Sequence, residues 1–342
     1  MLEIVDDADG WGRTLGAVIH DVFATYTWGR ASGQSDGGRP VLAVVRDPGV
    51  ICATSLLIRR VDGVYHDASS PYGYPGICFA PNVPFDQRVK AIGELSRGLA
   101  SLGLVSCFIR ENPLFNQDGN TDLSGVVTHG QTVSIDLTQS GEWRLGQLSS
   151  GHRYEIRRTS QAGVRVEVRS DGLSWLYFRG VYDSTMARLQ ASRYYYWSDA
   201  YWSVLREMEA AGNASLLIAH LDGQKLAGAI FLHDDRSGVV HYHLAAAHRT
   251  IERIFPGKLL IAEAANVFSR RAYRRLHLGG GLGGRADSLF AFKAGFSRDR
   301  HAFNTRRIVL LPDVYSRLSL GSRTDYFPAY RSTSSCRRND PQ

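Results

Sequence analysis

No apolar run in the sequence reaches the roughly 18 residues a membrane-spanning helix requires, and no C-x-x-C pair occurs among its four cysteines, Cys52, Cys78, Cys107 and Cys336. The first absence excludes a helical span, and the second removes the usual spacing of a zinc knuckle or a dithiol redox centre. The cysteines read as reduced, mostly core thiols. The start also lacks the basic head of a secretion signal, carrying Glu3, Asp6, Asp7 and Asp9 instead. A cytoplasmic location is expected. Strong charge imbalance is missing too: 40 Lys and Arg face 33 Asp and Glu, a formal +7. What excess there is lies in one place. From Arg253 to Arg307 there are 12 basic residues against three acids, Glu263, Asp287 and Asp299, a local +9 that leaves about −2 for the rest.

With 342 residues and 44% hydrophobic content, the chain exceeds what a single core usually sustains, so two domains are expected. The pattern supports that division. A helical stretch near 11–23 is followed by a Gly/Ser/Asp-rich segment at 31–39 that reads as a loop. Strand-like runs at 41–46 and 50–59 flank the turn Asp47-Pro48-Gly49 and predict a hairpin. Residues 67–76, rich in Pro and Gly, predict an ordered loop carrying Tyr72 and Tyr74. A helix at 85–102 and strands at 104–110 and 132–137 complete a first module.

The second module begins with a helix over 142–163 and a strand at 164–168, then helices near 173–189 and 198–211. Strands at 215–220, 225–233 and 239–246, joined by short polar turns, predict an antiparallel meander. Pro256 opens a helix with Leu260, Ala264, Val267 and Phe268 on one face. A strand at 275–278, a short helix at 287–294 and a strand at 302–311 follow. The order β, α, α, β, β, β, α, β, α, β is that of the GNAT acyltransferase fold. The fold class is therefore α/β, with two tandem GNAT-like domains, each a mixed, mainly antiparallel sheet flanked by helices. The expected division is 1–140 and 141–306, with 307–320 returning to the first domain and 321–342 forming an unstructured tail.

Several stretches share a resemblance: Ser70-Pro71-Tyr72-Gly73-Tyr74-Pro75-Gly76, Gly151-His152-Arg153 through Ile156-Arg157-Arg158, Tyr182 through Thr185-Met186 and Arg188, His277-Leu278-Gly279-Gly280-Gly281, and Phe292-Lys293-Ala294-Gly295-Phe296. Together they resemble the FemABX-like branch of the GNAT superfamily. Many members of that branch take an amino acid from aminoacyl-tRNA and join it to an amine on a cell-wall precursor peptide or an antibiotic intermediate. Others are acyl-CoA-dependent and act in polysaccharide pathways. The resemblance thus implies an aminoacyl-tRNA-dependent aminoacyltransferase, with an acyl-CoA N-acyltransferase acting on a sugar or lipid-linked intermediate as the alternative. No cofactor or metal is expected, since charged tRNA enters as a co-substrate. The acceptor is a small-molecule or peptide amine, and a monomer is expected because fused modules can cover each other's sheets.

An aminoacyl ester is already activated, so its aminolysis needs an oriented amine and a cation for the developing oxyanion rather than an enzyme nucleophile. The resemblance places Lys293 in that position. His277 and Asp287 are candidates for a general base. For the donor, Gly279, Gly280 and Gly281 follow a strand as a phosphate-binding loop would, with Arg285 and Phe292 nearby. These glycines equally permit a tight turn beside a groove, and they lack the G-K-[ST] ending of a P-loop. Arg270, Arg271, Arg274 and Arg275 are placed to meet an acceptor stem or simply to complete a helix C-terminus. Where acetyl-CoA-dependent GNAT enzymes carry R/Q-x-x-G-x-G/A, this chain reads Arg253-Ile254-Phe255-Pro256-Gly257-Lys258-Leu259. Its proline removes a donor from the pyrophosphate site, which favours tRNA. Tyr72, Tyr74, Arg153, Arg188, Tyr196 and Tyr242 are the candidate acceptor contacts, whether as binding groups or core filling. His241 and His243 alternate on a strand, too few for a metal site.

Overall fold

The structure is a computed structural model, and it describes residues 1–115, 125–248, 254–320, 322 and 325–332. The chain divides into two compact units, residues 1–129, 197–204 and 302–342 forming one and residues 130–196 and 205–301 the other. The dividing point falls before 140, and the aromatic segment 197–204 sits with the first unit rather than the second.

The first unit is built from β1 (Leu2–Val5), α1 (Ala8–Leu15), α2 (Tyr26–Asp36), β2 (Arg39–Arg46), β3 (Val50–Arg60), β4 (His66–Ser69), β5 (Cys78–Phe79), α3 (Phe85–Ser101) and β6 (Leu104–Arg110). Strand β7 (Val126–Asp136) then leads into the second unit. The first unit's sheet runs β1-β2-β3-β4-β6, with β5 beside β3. Its pairs are antiparallel except β4 with β6, which the crossover helix α3 makes parallel. The predicted hairpin forms between β2 and β3. The predicted loop at 31–39 does not: α2 runs through Asp36, capped by the Thr25 hydroxyl and buried through Trp28 and Ala31. Tertiary burial overrides the poor helix propensity of its Gly and Ser residues. The segment 67–76 likewise begins inside β4, where the buried Asp67 pairs with Arg59.

The second unit contains α4 (Gly141–Gln147), α5 (Ser150–Gln161), β8 (Arg165–Arg169), α6 (Gly172–Arg188), the last turns of α7 (Asp199–Ala210), β9 (Ala214–Leu221), β10 (Gln224–Asp234), β11 (Val239–Ala247), α8 (Pro256–Arg270), β12 (Arg275–Gly280) and α9 (Ser288–Ala294). The single helix predicted over 142–163 is two, because Ser149 caps a new helix with its hydroxyl on the His152 amide. The sheet order is β7-β12-β11-β10-β9-β8, antiparallel except β11 with β12, which α8 connects. Strand β10 is buried almost end to end. Ala227, Ala229 and Phe231 join the core formed with Leu260, Ala264 and Phe268 of α8, while the open face of Gly228 meets Phe178 of α6. Helices on both faces explain its nearly continuous apolar sequence.

Strand β13 (Asp299–Val309) leaves the second unit, pairs with β6 through Thr305–Val309 in the first, and is followed by α10 (Pro312–Leu318). Each unit therefore repeats one construction: a three-stranded meander, a helix, a parallel strand, and an antiparallel strand delivered from elsewhere in the chain. Residues 325–332 depart from the unstructured tail expected after 320. Tyr330 is buried with its hydroxyl on Ser106, and Arg331 pairs with Asp67. A tyrosine and an arginine that complete a buried carboxylate's partners hold a segment that has no apolar periodicity. Cys52, Cys78 and Cys107 are buried, and burial pushes the Cys52 and Cys107 thiols up to about 12; Cys336 lies outside the described residues. Among the described residues no helix is long and apolar enough to cross a membrane.

Candidate active site

Strand β12 ends in glycine, and the chain turns directly into α9. Gly279 takes a left-handed φ of 76° where the β12–β7 register shifts, so the strand bends at its end. Gly281 closes the turn. A side chain there would put its Cβ 2.0 Å from the Arg285 carbonyl and 2.4 Å from an Asp287 oxygen. Asp287 is the N-cap of α9, accepting hydrogen bonds from the amides of Leu282 and Phe290, and these amides hold its carboxyl below the usual range. Gly284 and Arg285 donate their amides back to Gly281 and Leu282. The turn thus satisfies the amides of Leu282, Gly284 and Arg285 from within itself. Clearance and turn closure account for the glycine at 281. A carboxylate so stabilised in its ionised form is a weak proton acceptor.

Lys293 points from α9 back at this turn. Its ammonium is buried and donates to the Gly280 carbonyl at 2.6 Å. Burial lowers its pKa to about 8, against an opposing pull from Asp287. A lysine on a short helix is ordinarily a solvated surface charge; this one is buried. His277 lies on β12, two residues before Gly279, fully buried with its Nδ1 3.2 Å from the Nδ1 of His241. Burial and the neighbouring His241 hold it well below the ordinary histidine range, so it is neutral at physiological pH. His243 is the extra residue of a bulge in β11, with its pKa pushed down to about 3 by burial. Among the described residues no three His, Cys, Asp or Glu side chains gather as metal ligands would.

Residues 148–293 match the acetyltransferase (GNAT) domain family. Three solved structures share the fold over nearly the whole chain. The crystal structure of FemX has a TM-score of 0.69 at 13% identity, covering 92% of this chain and 99% of that one. The C-terminal domain of an Agrobacterium fabrum protein assigned as a lysylphosphatidylglycerol synthetase gives 0.55 at 13%, covering 92% and 97%. L-PGS from Bacillus licheniformis gives 0.58 at 13%, covering 91% and 95%. No curated protein matches the chain in sequence. The chain is an acyltransferase with a GNAT domain over residues 148–293.

In a GNAT domain the helix after the meander is the place to look for a pyrophosphate site, and here α8 is poorly equipped for one. The Phe255 amide already donates to the Thr159 hydroxyl at 3.0 Å, Pro256 has no amide hydrogen, and the amides of Lys258 and Leu259 bond to the Phe255 carbonyl. The Lys258 ammonium is tied to Glu155. Arg253, the first residue of the stretch compared with the CoA loop, lies outside the described residues.

The other candidate residues separate. Arg285 is exposed beside the turn, bonded to the Leu282 carbonyl. Phe292 is core filling, packed on Phe296 and His152. Arg270, Arg271, Arg274 and Arg275 sit at the opposite end of β12 from Gly280, roughly 16 Å away at about 3.3 Å per strand residue. Arg275 is paired with Asp299, and Arg274 donates to the Ser237 carbonyl. Arg271 lines a cleft of about 650 Å³ together with Glu209 and Asp235. In that cleft Tyr273 donates to Asp235, which fixes the His233 Nδ1–H on the Tyr273 oxygen at 2.7 Å and the Ser215 hydroxyl on Nε2 at 2.9 Å. Acids thus offset the positive charge that the linear sequence concentrates there.

Of the acceptor candidates, Tyr72 and Tyr74 belong to the first unit and Arg153, Arg188, Tyr196 and Tyr242 to the second. The Tyr72 ring lies 5.7 Å from Trp197, which stacks on Tyr201 at 4.2 Å; Tyr74 meets Phe23 and Phe303 edge-on. Tyr196 is exposed. Arg153 donates to the Leu148 carbonyl and Arg188 reaches toward that of Ala247. Tyr242 packs against Phe231 as part of the core, a filling role that burial explains. Sequence reasoning overlooked Thr159 and the task of His152. Both residues lie in α5, where the resemblance flagged His152 without assigning it a task.

Proposed function

We propose that the chain is an aminoacyl-tRNA-dependent aminoacyltransferase that forms an amide on the amine of a small molecule or peptide, an antibiotic intermediate or a cell-wall precursor. The observation that carries this is the buried Lys293 ammonium at the end of β12. With a pKa of about 8 it is roughly nine-tenths protonated at pH 7, a fixed cation in a desolvated position. A neutral amine attacks the ester carbonyl carbon, forming the C–N bond; Lys293 donates a hydrogen bond to the oxygen as it becomes anionic. The carbonyl re-forms as the bond to the ribose oxygen breaks, and the proton lost by the attacking nitrogen is matched by one gained on that oxygen. No enzyme-bound intermediate is required, in keeping with a neutral buried His277 and an Asp287 engaged as a cap.

Two further observations support the tRNA donor. The α8 N-terminus offers few free amides, which weighs against CoA bound through its pyrophosphate. The name of the Agrobacterium fabrum relative joins lysine to phosphatidylglycerol, an aminoacyl product on the same fold. The second reading, an acyl-CoA N-acyltransferase acting on a sugar or lipid-linked intermediate, draws on the match to the acetyltransferase (GNAT) domain family. Incubation with charged tRNA and a panel of amines separates them. Ribonuclease-sensitive amide formation, with no rise in melting temperature on adding CoA, is expected; a ligand at 100 times its Kd would add about 2.7 kcal/mol. Turnover with acyl-CoA and none with charged tRNA would overturn the proposal.

A further inference from the structure

Helix α9 is only seven residues long, yet it carries the one buried lysine of four in the sequence; Lys90, Lys225 and Lys258 are the others. A helix this short has no stability of its own, and the last four carbonyls of any helix lack partners within it. Here all four are met. The Ala291 carbonyl accepts from the Gly295 amide, that of Lys293 from the Phe296 amide, and that of Ala294 from Arg300. The Phe292 carbonyl is met by a side chain from α5: His152 donates through Nε2 at 2.8 Å.

That bond fixes the ring. A carbonyl only accepts, so the hydrogen is on Nε2, and Nδ1 accepts from the Ser149 hydroxyl at 3.1 Å. Ser149 in turn accepts from the His152 amide, and its own amide donates to the Gly295 carbonyl at 2.9 Å. The ring is buried, lies edge-on to Phe296 at 4.7 Å, and fills the space above Gly295, where a Cβ would fall 2.4 Å from its Cε1. Burial and Lys258 lower the pKa of His152, against Glu155 and the Phe292 bond, so it stays neutral. The glycine in Phe292-Lys293-Ala294-Gly295-Phe296 is thus matched to a histidine far away in sequence.

We infer that His152 is a positioning residue: it holds the C-terminal end of α9 so that the Lys293 ammonium stays buried on the Gly280 carbonyl. The catalytic consequence rests on the proposed reaction, but the positional claim does not. Loss of the Nε2 bond would let α9 loosen and Lys293 reach water. The charged group facing Lys293 is Asp287, and His277 is the nearby neutral one; neither changes when His152 is altered.

Competitive acetylation of Lys293 across pH, read on its peptide by mass spectrometry, measures its pKa without any substrate. Lys293 is expected to titrate near 8 in the parent protein, to rise by about one unit or more towards the ordinary lysine value in His152→Ala and His152→Phe, and to return in His152→Asn, which keeps a donor. The Phe variant separates the hydrogen bond from ring bulk. Gly295→Ala should match His152→Ala, and adding it to His152→Ala should change little further, because the ring it displaces is gone. In the transfer assay, kcat should fall roughly tenfold to a hundredfold with donor KM within about twofold. An unchanged Lys293 pKa in a folded His152→Ala protein overturns the inference whatever the donor is. A shifted pKa in an enzyme that ignores charged tRNA sustains it and removes the donor reading alone.

Discussion

Lys293 places two demands in opposition, since a cation useful to an oxyanion is costly to bury. Its folded pKa, about 8, lies below the 10.5 of a free lysine. Between those values the unfolded chain binds more protons than the folded one, so this residue's contribution to stability rises with pH across that window and is at its most unfavourable below pH 8. Lys293→Met should therefore be more stable than the parent at pH 7, by about 2 kcal/mol after the lost bond to Gly280 is counted, with the gap closing by pH 10. Urea unfolding at both pH values checks this, and a gap that widens with pH would refute it. The same titration shapes the rate: activity should climb as the acceptor amine loses its proton and then fall as Lys293 loses its own near pH 8. Lys293→Met should lower turnover at least roughly a hundredfold. Stability gained where activity is lost is the signature of a functional charge rather than a structural one.

At the level of elements, α5 acts as the organiser of the second unit's functional end. His152, Glu155 and Thr159 recur at intervals that put them along one side of the helix, and they hold α9, Lys258 and the Phe255 amide respectively. Thr159 is fully buried, so Thr159→Val strands the Phe255 amide beside the α8 N-terminus. That should cost about 1–3 kcal/mol in unfolding free energy while leaving the Lys293 pKa near 8, in contrast to the His152 variants. A calorimetric midpoint equal to the parent's would contradict it. The strands and helices of this unit were legible because periodicity, turn residues and a proline at the start of α8 all agree locally. What α5 does was not. Its polar side chains look like an exposed, arginine-rich face in sequence, and their partners are supplied by residues roughly a hundred or more positions away. The same limit applies to the arginines: 270–275 and Lys293 are close in sequence, yet a six-residue strand sets them at opposite ends.

Across the molecule, neither unit is a simple contiguous stretch of sequence: β13 returns the chain to the first after the second is complete, and residues 197–204 interrupt the second. The alternation of elements revealed the doubled architecture, but the final segment shows where composition misleads. Residues 325–332 carry no apolar periodicity, and a buried charge anchors them alongside the aromatic contacts of Phe327 and Tyr330. Asp67 is fully buried; Arg59 approaches it at 3.1 Å, Arg331 at 2.6 Å, and the Tyr330 hydroxyl at 3.1 Å. Burial and Asp67 drive the Tyr330 hydroxyl's pKa upward, so it remains a donor. Removing one partner of a buried ion pair typically costs about 3–5 kcal/mol, because the remaining charge is left without compensation. Deleting 325–342 should cost the first unit about that much, and Arg331→Met alone somewhat less, since Arg59 persists. Adding Asp67→Asn to the deletion should restore part of the loss, as the uncompensated charge is then gone. Denaturant unfolding of the three variants tests the chain of reasoning: if Asp67→Asn brings no recovery in the deleted protein, the segment is held by its aromatic contacts with Tyr315 and Phe108 instead.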